Sequence, residues 1–115
     1  MSSLDFRRAK AFVESVPEGR WTAYADVAEA AGNPRGAQAV GQWATREGHR
    51  VKNIHRVLTV KGYVPDGFRP AGRGVPADAQ RVRDVLRAEG VRIGADGCAA
   101  PRQRFRFDAW DSIER

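Results

Sequence analysis

The sequence predicts a small, mainly helical domain with a minor β component, of the winged-helix, helix-turn-helix kind. Three observations carry that prediction. A chain of 115 residues with 42% hydrophobic content can hold one modest core and not two. Two helical segments meet across Gly32-Asn33-Pro34, a short glycine-containing turn of the sort that joins the helices of a helix-turn-helix. Beyond them, Val57-Leu58-Thr59-Val60, Lys61-Gly62 and Tyr63-Val64 read as strand, turn and return strand, a small β-hairpin.

The elements follow in order. Ser3 or Asp5 can cap a first helix with Phe6, Ala9, Phe12, Val13 and Val16 on its apolar face, ended by Pro17-Glu18-Gly19. Trp21 is expected as a core anchor. Thr22 suits the N-cap of a second helix running to about Ala31, with Asp26 in its first turns and Ala23, Val27, Ala28 and Ala31 inward. Gly32 ends that helix, and Pro34 fits the first turn of the next. The third helix spans about 35–46; its Gly36, Ala37, Ala39, Gly41 and Ala44 permit close backbone approach, and Arg35, Gln38, Gln42, Thr45 and Arg46 can meet phosphates and base edges. The Gly/Pro-rich loop 65–74, with Phe68, Arg69 and Arg73, is a ligand clamp or a plain connector. A helix over 78–89, with Val82, Val85 and Leu86 inward, closes at Gly90. Val91-Arg92-Ile93 is expected to pair with Arg104-Phe105-Arg106-Phe107, whose alternation of charge and ring suits an edge strand.

The net charge of +6 and pI near 10.4 favour polyanions, nucleic acid first. Arginine dominates the basic residues, which suits bidentate phosphate contacts. One cysteine, Cys98, excludes an intramolecular disulfide and a multi-cysteine metal site, and reads as incidental. No apolar run reaches membrane-spanning length and the N-terminus lacks a signal-peptide pattern, so a cytoplasmic, monomeric protein without cofactor or metal is expected.

Asn53-Ile54-His55-Arg56-Val57 stands apart. On its residues alone it is a short turn holding one imidazole among apolar neighbours, a setting more often structural than catalytic. The order of motifs adds to this. Val16-Pro17-Glu18-Gly19, Thr22-Ala23-Tyr24-Ala25-Asp26-Val27-Ala28, Ala31 to Gly41, and Ile54-His55-Arg56-Val57 occur in the order and spacing of the DNA-binding domain of alkylguanine-DNA alkyltransferases. The chain resembles that family over about residues 4–93, with 94–115 as a C-terminal extension of one domain, 1–115.

The family's catalytic motif is Pro-Cys-His-Arg, and Asn53 and Ile54 occupy its first two positions. The resemblance is therefore to the alkyltransferase-like branch, whose members bind alkylated guanine without repairing it and flag it for nucleotide excision repair. Dealkylation needs a thiolate attacking the alkyl carbon, and Ile54 offers no lone pair. No enzyme is expected: His55 and Glu89 become a degenerate relay with structural roles, and Arg56 a brace. The resemblance makes Tyr24 the tyrosine that contacts the flipped nucleotide and assists its rotation, and implies minor-groove entry of the third helix. It assigns Thr22, Tyr24, Asn33, Arg35, Gln38, Gln42 and Arg46 to DNA, and Tyr24, Trp43, Ile54, Val57, Tyr63, Arg69 and Arg73 to a lesion pocket. Trp43 lines that pocket or packs inward, and either loop arginine can meet the base. Gln38 stands where the family has an arginine finger, and lacks the guanidinium plane for stacking.

The expected partner is double-stranded DNA containing alkylated guanine, with excision-repair proteins as recruits. Two other readings stand beside it: a DNA-binding or regulatory module indifferent to damage, which Gln38 supports, and an enzyme with different chemistry, kept open by His55 and Glu89.

Overall fold

A computed structural model describes residues 4–65 and 81–114. The loop arginines Arg69 and Arg73, and the first residues of the helix expected over 78–89, lie outside the described residues. Helix α1 spans Phe6–Ser15; the Asp5 carboxylate caps it, accepting from Arg7 N at 3.0 Å and Arg8 N at 3.4 Å. Its face of Ala9, Phe12 and Val13 is fully buried.

Strand β1 is Thr22–Ala23 and runs directly into α2, Tyr24–Ala30. The N-cap is thus Ala23, one residue later than expected. Asp26 supplies the missing cap from inside the helix, its Oδ2 accepting from Ala23 N at 3.1 Å. Helix α3 is Ala37–Glu47, not 35–46. Pro34 and Arg35 stay in the turn because Asn33 closes it, its Oδ1 accepting from Arg35 N at 3.1 Å and its carbonyl from Gly36 N at 2.9 Å.

Strand β2, Val57–Leu58, is parallel to β1, with Thr22 opposite Val57 and Ala23 opposite Leu58. The expected hairpin with Tyr63-Val64 does not form. Both β2 residues are buried, so the strand belongs inside, beside the equally buried β1. After the turn at Gly62 (φ +73°), Tyr63 bridges instead to Cys98, and Val64 N donates to the Gly97 carbonyl at 2.9 Å.

Helix α4, Val82–Ala88, buries Val82 and Leu86 and ends at Gly90 (φ +101°), as its sequence predicts. The expected pairing of 91–93 with 104–107 is replaced by two others. Ile93 bridges to Ala99, and Arg104 bridges in parallel to Trp21. Phe107 then opens a fifth helix, α5, Phe107–Glu114, which the sequence reading missed.

The core has two clusters. One gathers α1, α2, α3 and the C-terminal aromatics: Phe12 lies between Phe105 (centroids 5.7 Å apart) and Trp110 (5.5 Å, edge-on). The other surrounds Trp21 with Leu58, Val64, Val82, Leu86, Val91 and Ala99. Residues beyond 94 are therefore part of both clusters.

Candidate nucleic-acid interface

Helices α2 and α3 pack through Val27, Ala28, Ala30, Ala31, Val40 and Trp43, all buried. That fixes which side of α3 looks outward. Gln38, Gln42 and Thr45 recur at spacings of four and three, one helical stripe, and all are exposed, as are Arg46 beside them and Arg35 before the helix. Gly41 lies on the same stripe, and a Cβ built on it meets nothing within 4 Å. By contrast, a Cβ on Gly36 would sit 2.9 Å from the Leu4 side chain. Among the described residues no contact explains the missing side chain at Gly41, while a low, polar ridge suits a narrow groove.

Tyr24 is the first residue of α2, half-buried against the first core cluster. Burial pushes its phenol above the ordinary value, so the hydroxyl stays a neutral donor. It makes no hydrogen bond among the described residues.

The turn before β2 is built from four consecutive side chains with different fates. Asn53 adopts a left-handed conformation (φ +69°), and its amide donates to the Glu14 carbonyl at 3.0 Å. Ile54 is half-buried beside Gly48, where a Cβ would lie 3.3 Å from the Ile54 side chain. His55 Nε2 lies 3.0 and 2.9 Å from the two Glu89 oxygens, and since an ionised carboxylate only accepts, Nε2 carries the proton. Arg56 makes a fork on the same carboxylate, Nε and Nη2 each at 3.0 Å, while Nη1 donates to the Val16 carbonyl at 2.7 Å. Burial works against the Glu89 charge, but the hydrogen bonds from Arg56 and His55 outweigh it and hold the carboxyl below its ordinary value. The His55–Glu89 bond is the one the family resemblance implies, and the Arg56 fork is added to it.

The expected pocket residues are distributed more widely than the sequence suggests. Trp43 is 5% exposed and stacks on Phe6 (centroids 5.4 Å, 18°), so it packs inward. Its edge borders a shallow cavity of about 290 Å³ with Arg7, Lys10 and Arg50, and it sits five residues from Gln38, well round the helix from the exposed stripe. Val57 is buried in β2. Tyr63, 48% exposed, covers Gly97 and bridges to Cys98. Thr22, expected at DNA, is wholly buried; its hydroxyl donates to the Phe105 carbonyl at 2.7 Å and presents nothing outward. A cavity of about 470 Å³ is lined by Arg92 and Ala100 to Gln103, away from Tyr24 and Ile54.

With this geometry, the family description of the 6-O-methylguanine DNA methyltransferase DNA-binding domain matches residues 6–91. The chain belongs to this family. Its relatives include the DNA base-flipping protein of Escherichia coli, 34% identical over 109 residues that cover 89% of this chain and 73% of that protein, and its equally similar counterpart in Shigella flexneri. Among solved structures, S. pombe Atl1 in complex with damaged DNA containing O6-carboxymethylguanine superposes with a TM-score of 0.64 at 24% identity, covering 88% of this chain and 94% of that one. The OGT protein of Mycobacterium tuberculosis superposes at 0.51 and 28% identity, covering 83% of this chain and 54% of that one.

For a member of the alkyltransferase DNA-binding family, two features here escape the matched stretch. Arg104 and Phe105 lie beyond residue 91, yet they bond to Asp26, Thr22 and Trp21 at the foot of the helix-turn-helix. Buried Asp26 was the one sequence signal for this: a carboxylate on an otherwise apolar helix face needs a cation, and Arg104 is that cation.

Proposed function

We propose that the protein binds duplex DNA through the minor groove with the exposed stripe of α3, rotates an O6-alkylated guanine out of the stack with the help of Tyr24, and transfers no alkyl group. The observation that carries this reading is the turn 53–56. It keeps the His55–Glu89 hydrogen bond of an alkyl-transfer relay and has Ile54, without a lone pair, where the nucleophile would stand. A bound lesion therefore stays intact, and the complex serves as a flag for excision-repair proteins. The protein acts as a monomer in the cytoplasm; among the described residues no helix is long and apolar enough to cross a membrane. The relatives named for base flipping and for damaged DNA support this reading.

The test has two parts. Gel shifts at several salt concentrations should show tighter binding to duplex carrying O6-methylguanine than to the undamaged duplex. Mass spectrometry of the protein after incubation should show no added alkyl mass; a stoichiometric adduct, on Cys98 or elsewhere, would overturn the non-enzymatic reading.

Gln38 favours a second reading, a DNA-binding module indifferent to damage. It is exposed on the stripe, but it is neutral and cannot stack as a guanidinium does. Gln38→Arg should tighten binding to lesion-containing duplex by about 1 kcal/mol, the scale of one exposed cation–π or charge-assisted contact, and raise the ratio of lesion to undamaged affinity at fixed salt. If both affinities rise by one factor, Gln38 does not enter the stack and the second reading becomes the better account.

A further inference from the structure

The N-terminus of α2, where Tyr24 sits, is held by β2 and by residues far along the chain. Trp21 N donates to the Gln103 carbonyl at 3.1 Å, and Phe105 N returns a bond to the Trp21 carbonyl at 2.6 Å. The Thr22 hydroxyl donates to the Phe105 carbonyl. At the centre lies an ion pair: Arg104 Nε meets Asp26 Oδ2 at 2.8 Å, with the two side chains 13% and 6% exposed. The same Asp26 oxygen accepts from Ala23 N, the amide that precedes Tyr24. The Arg104 guanidinium also lies 5.9 Å from the Trp21 ring centre. One carboxylate oxygen thus joins the C-terminal segment to the first turn of α2.

We propose that Arg104 is a positioning residue for Tyr24: through Asp26 it fixes the first turn of α2, and so the direction from which the tyrosine meets a rotated nucleotide. The Tyr24 hydroxyl has no hydrogen bond of its own among the described residues, so its direction depends on the backbone that carries it and on packing. A group that must meet its target within about 0.5 Å needs such support from a second layer of bonds. Asp26 alone does not provide it. Without Arg104 its buried charge would be uncompensated, and the carboxylate would turn toward water, loosening its bond to Ala23 N. The segment beyond residue 91 thereby becomes part of the recognition apparatus rather than an appendage.

The functional consequence rests on the flipping reading above, and the experiment separates the two. The chain has two tyrosines, Tyr24 and Tyr63. Protein labelled with 3-fluorotyrosine gives one fluorine line from each, assigned with Tyr63→Phe. Arg104→Met should shift or broaden the Tyr24 line in the free, folded protein and leave the Tyr63 line in place. It should also lower the ratio of O6-methylguanine to undamaged affinity about fivefold at fixed salt, the scale of one ordinary hydrogen bond, with undamaged affinity within about twofold. Arg104→Lys, which keeps a cation for Asp26, should restore most of both. An unmoved Tyr24 line in a folded Arg104→Met protein overturns the proposal. Where the wild type prefers the lesion, so does a moved line with an unchanged ratio, or an equal loss on both duplexes. If the wild type itself shows no lesion preference while the line moves, the flipping reading falls and the strut between Arg104 and Tyr24 stands. Should Arg104→Met not fold, Arg104→Gln, which keeps a polar side chain but leaves Asp26 without a cation, carries the same expected shift and loss.

Discussion

Trp21→Ala should cost about 4 kcal/mol of stability, the middle of the range for deleting a buried large aromatic. Trp21 is 2% exposed at the centre of the second core cluster. Its indole N–H donates to the Ala100 carbonyl at 2.8 Å, and a Cβ on Gly62 would come 3.2 Å from its ring. The ring thus fills space that neighbouring backbone cannot close, and its removal leaves both a void and an orphaned carbonyl. Since domains of this size are stable by about 5–15 kcal/mol, the loss is a large share of the total. Urea unfolding monitored by circular dichroism should show a lower midpoint with an unchanged slope. The melting temperature should fall by roughly 15 °C. A drop under about 1 kcal/mol would mean that the cluster collapses onto the gap, and that Trp21 is not its anchor.

Glu89→Ala is the second large effect, about 3 kcal/mol, because it strands the Arg56 guanidinium in a buried site. Arg56 is 9% and Glu89 14% exposed as side chains. The double variant Glu89→Ala, Arg56→Ala should cost less than the sum of the singles, since removing both partners removes the orphan. The pH dependence has a definite sign. The folded Glu89 carboxyl titrates below its ordinary value of 4.5. Its contribution is therefore fully present above that value and is lost as pH falls through the lower, folded one. Urea midpoints measured from pH 6 downward should decline more steeply for the wild type than for Glu89→Gln. Parallel declines would show that other carboxylates govern acid unfolding.

The parts of this structure written in local sequence were legible. The apolar spacing of α1, the Gly90 stop of α4 and the helix-turn-helix around Gly32 need only near neighbours, and the His55–Glu89 pair came from motif order. What failed was pairing over distance. Nothing local tells Val57 to choose Thr22 rather than Tyr63; the choice follows from both strands being buried. Arg104 to Phe107 alternates as a strand does, but Phe107 and Trp110, three apart and facing the same core cluster, fit a helix equally well. Trp43 packs inward because Phe6, thirty-seven positions earlier, offers it a ring. For the candidate site, the outward face of α3 and the place of Tyr24 at the start of α2 were readable, whereas the burial of Thr22 was not. That residue looks like a helix cap, and its role depends on a carbonyl eighty-three residues away.

That distance has a consequence for how the molecule is made. On a ribosome, Trp21 emerges long before Ala100, Gln103 and Phe105, its bonding partners, the first of them 79 residues later. At about 5–20 residues per second the wait is roughly 4–16 s, ample time for the three-helix front of the chain to form and stay unclosed. Phe12 waits equally for Phe105 and Trp110, its lids. During that interval two aromatic surfaces are open to chaperones and to other nascent chains. The speed of the last stretch of translation thus sets how long those surfaces stay open.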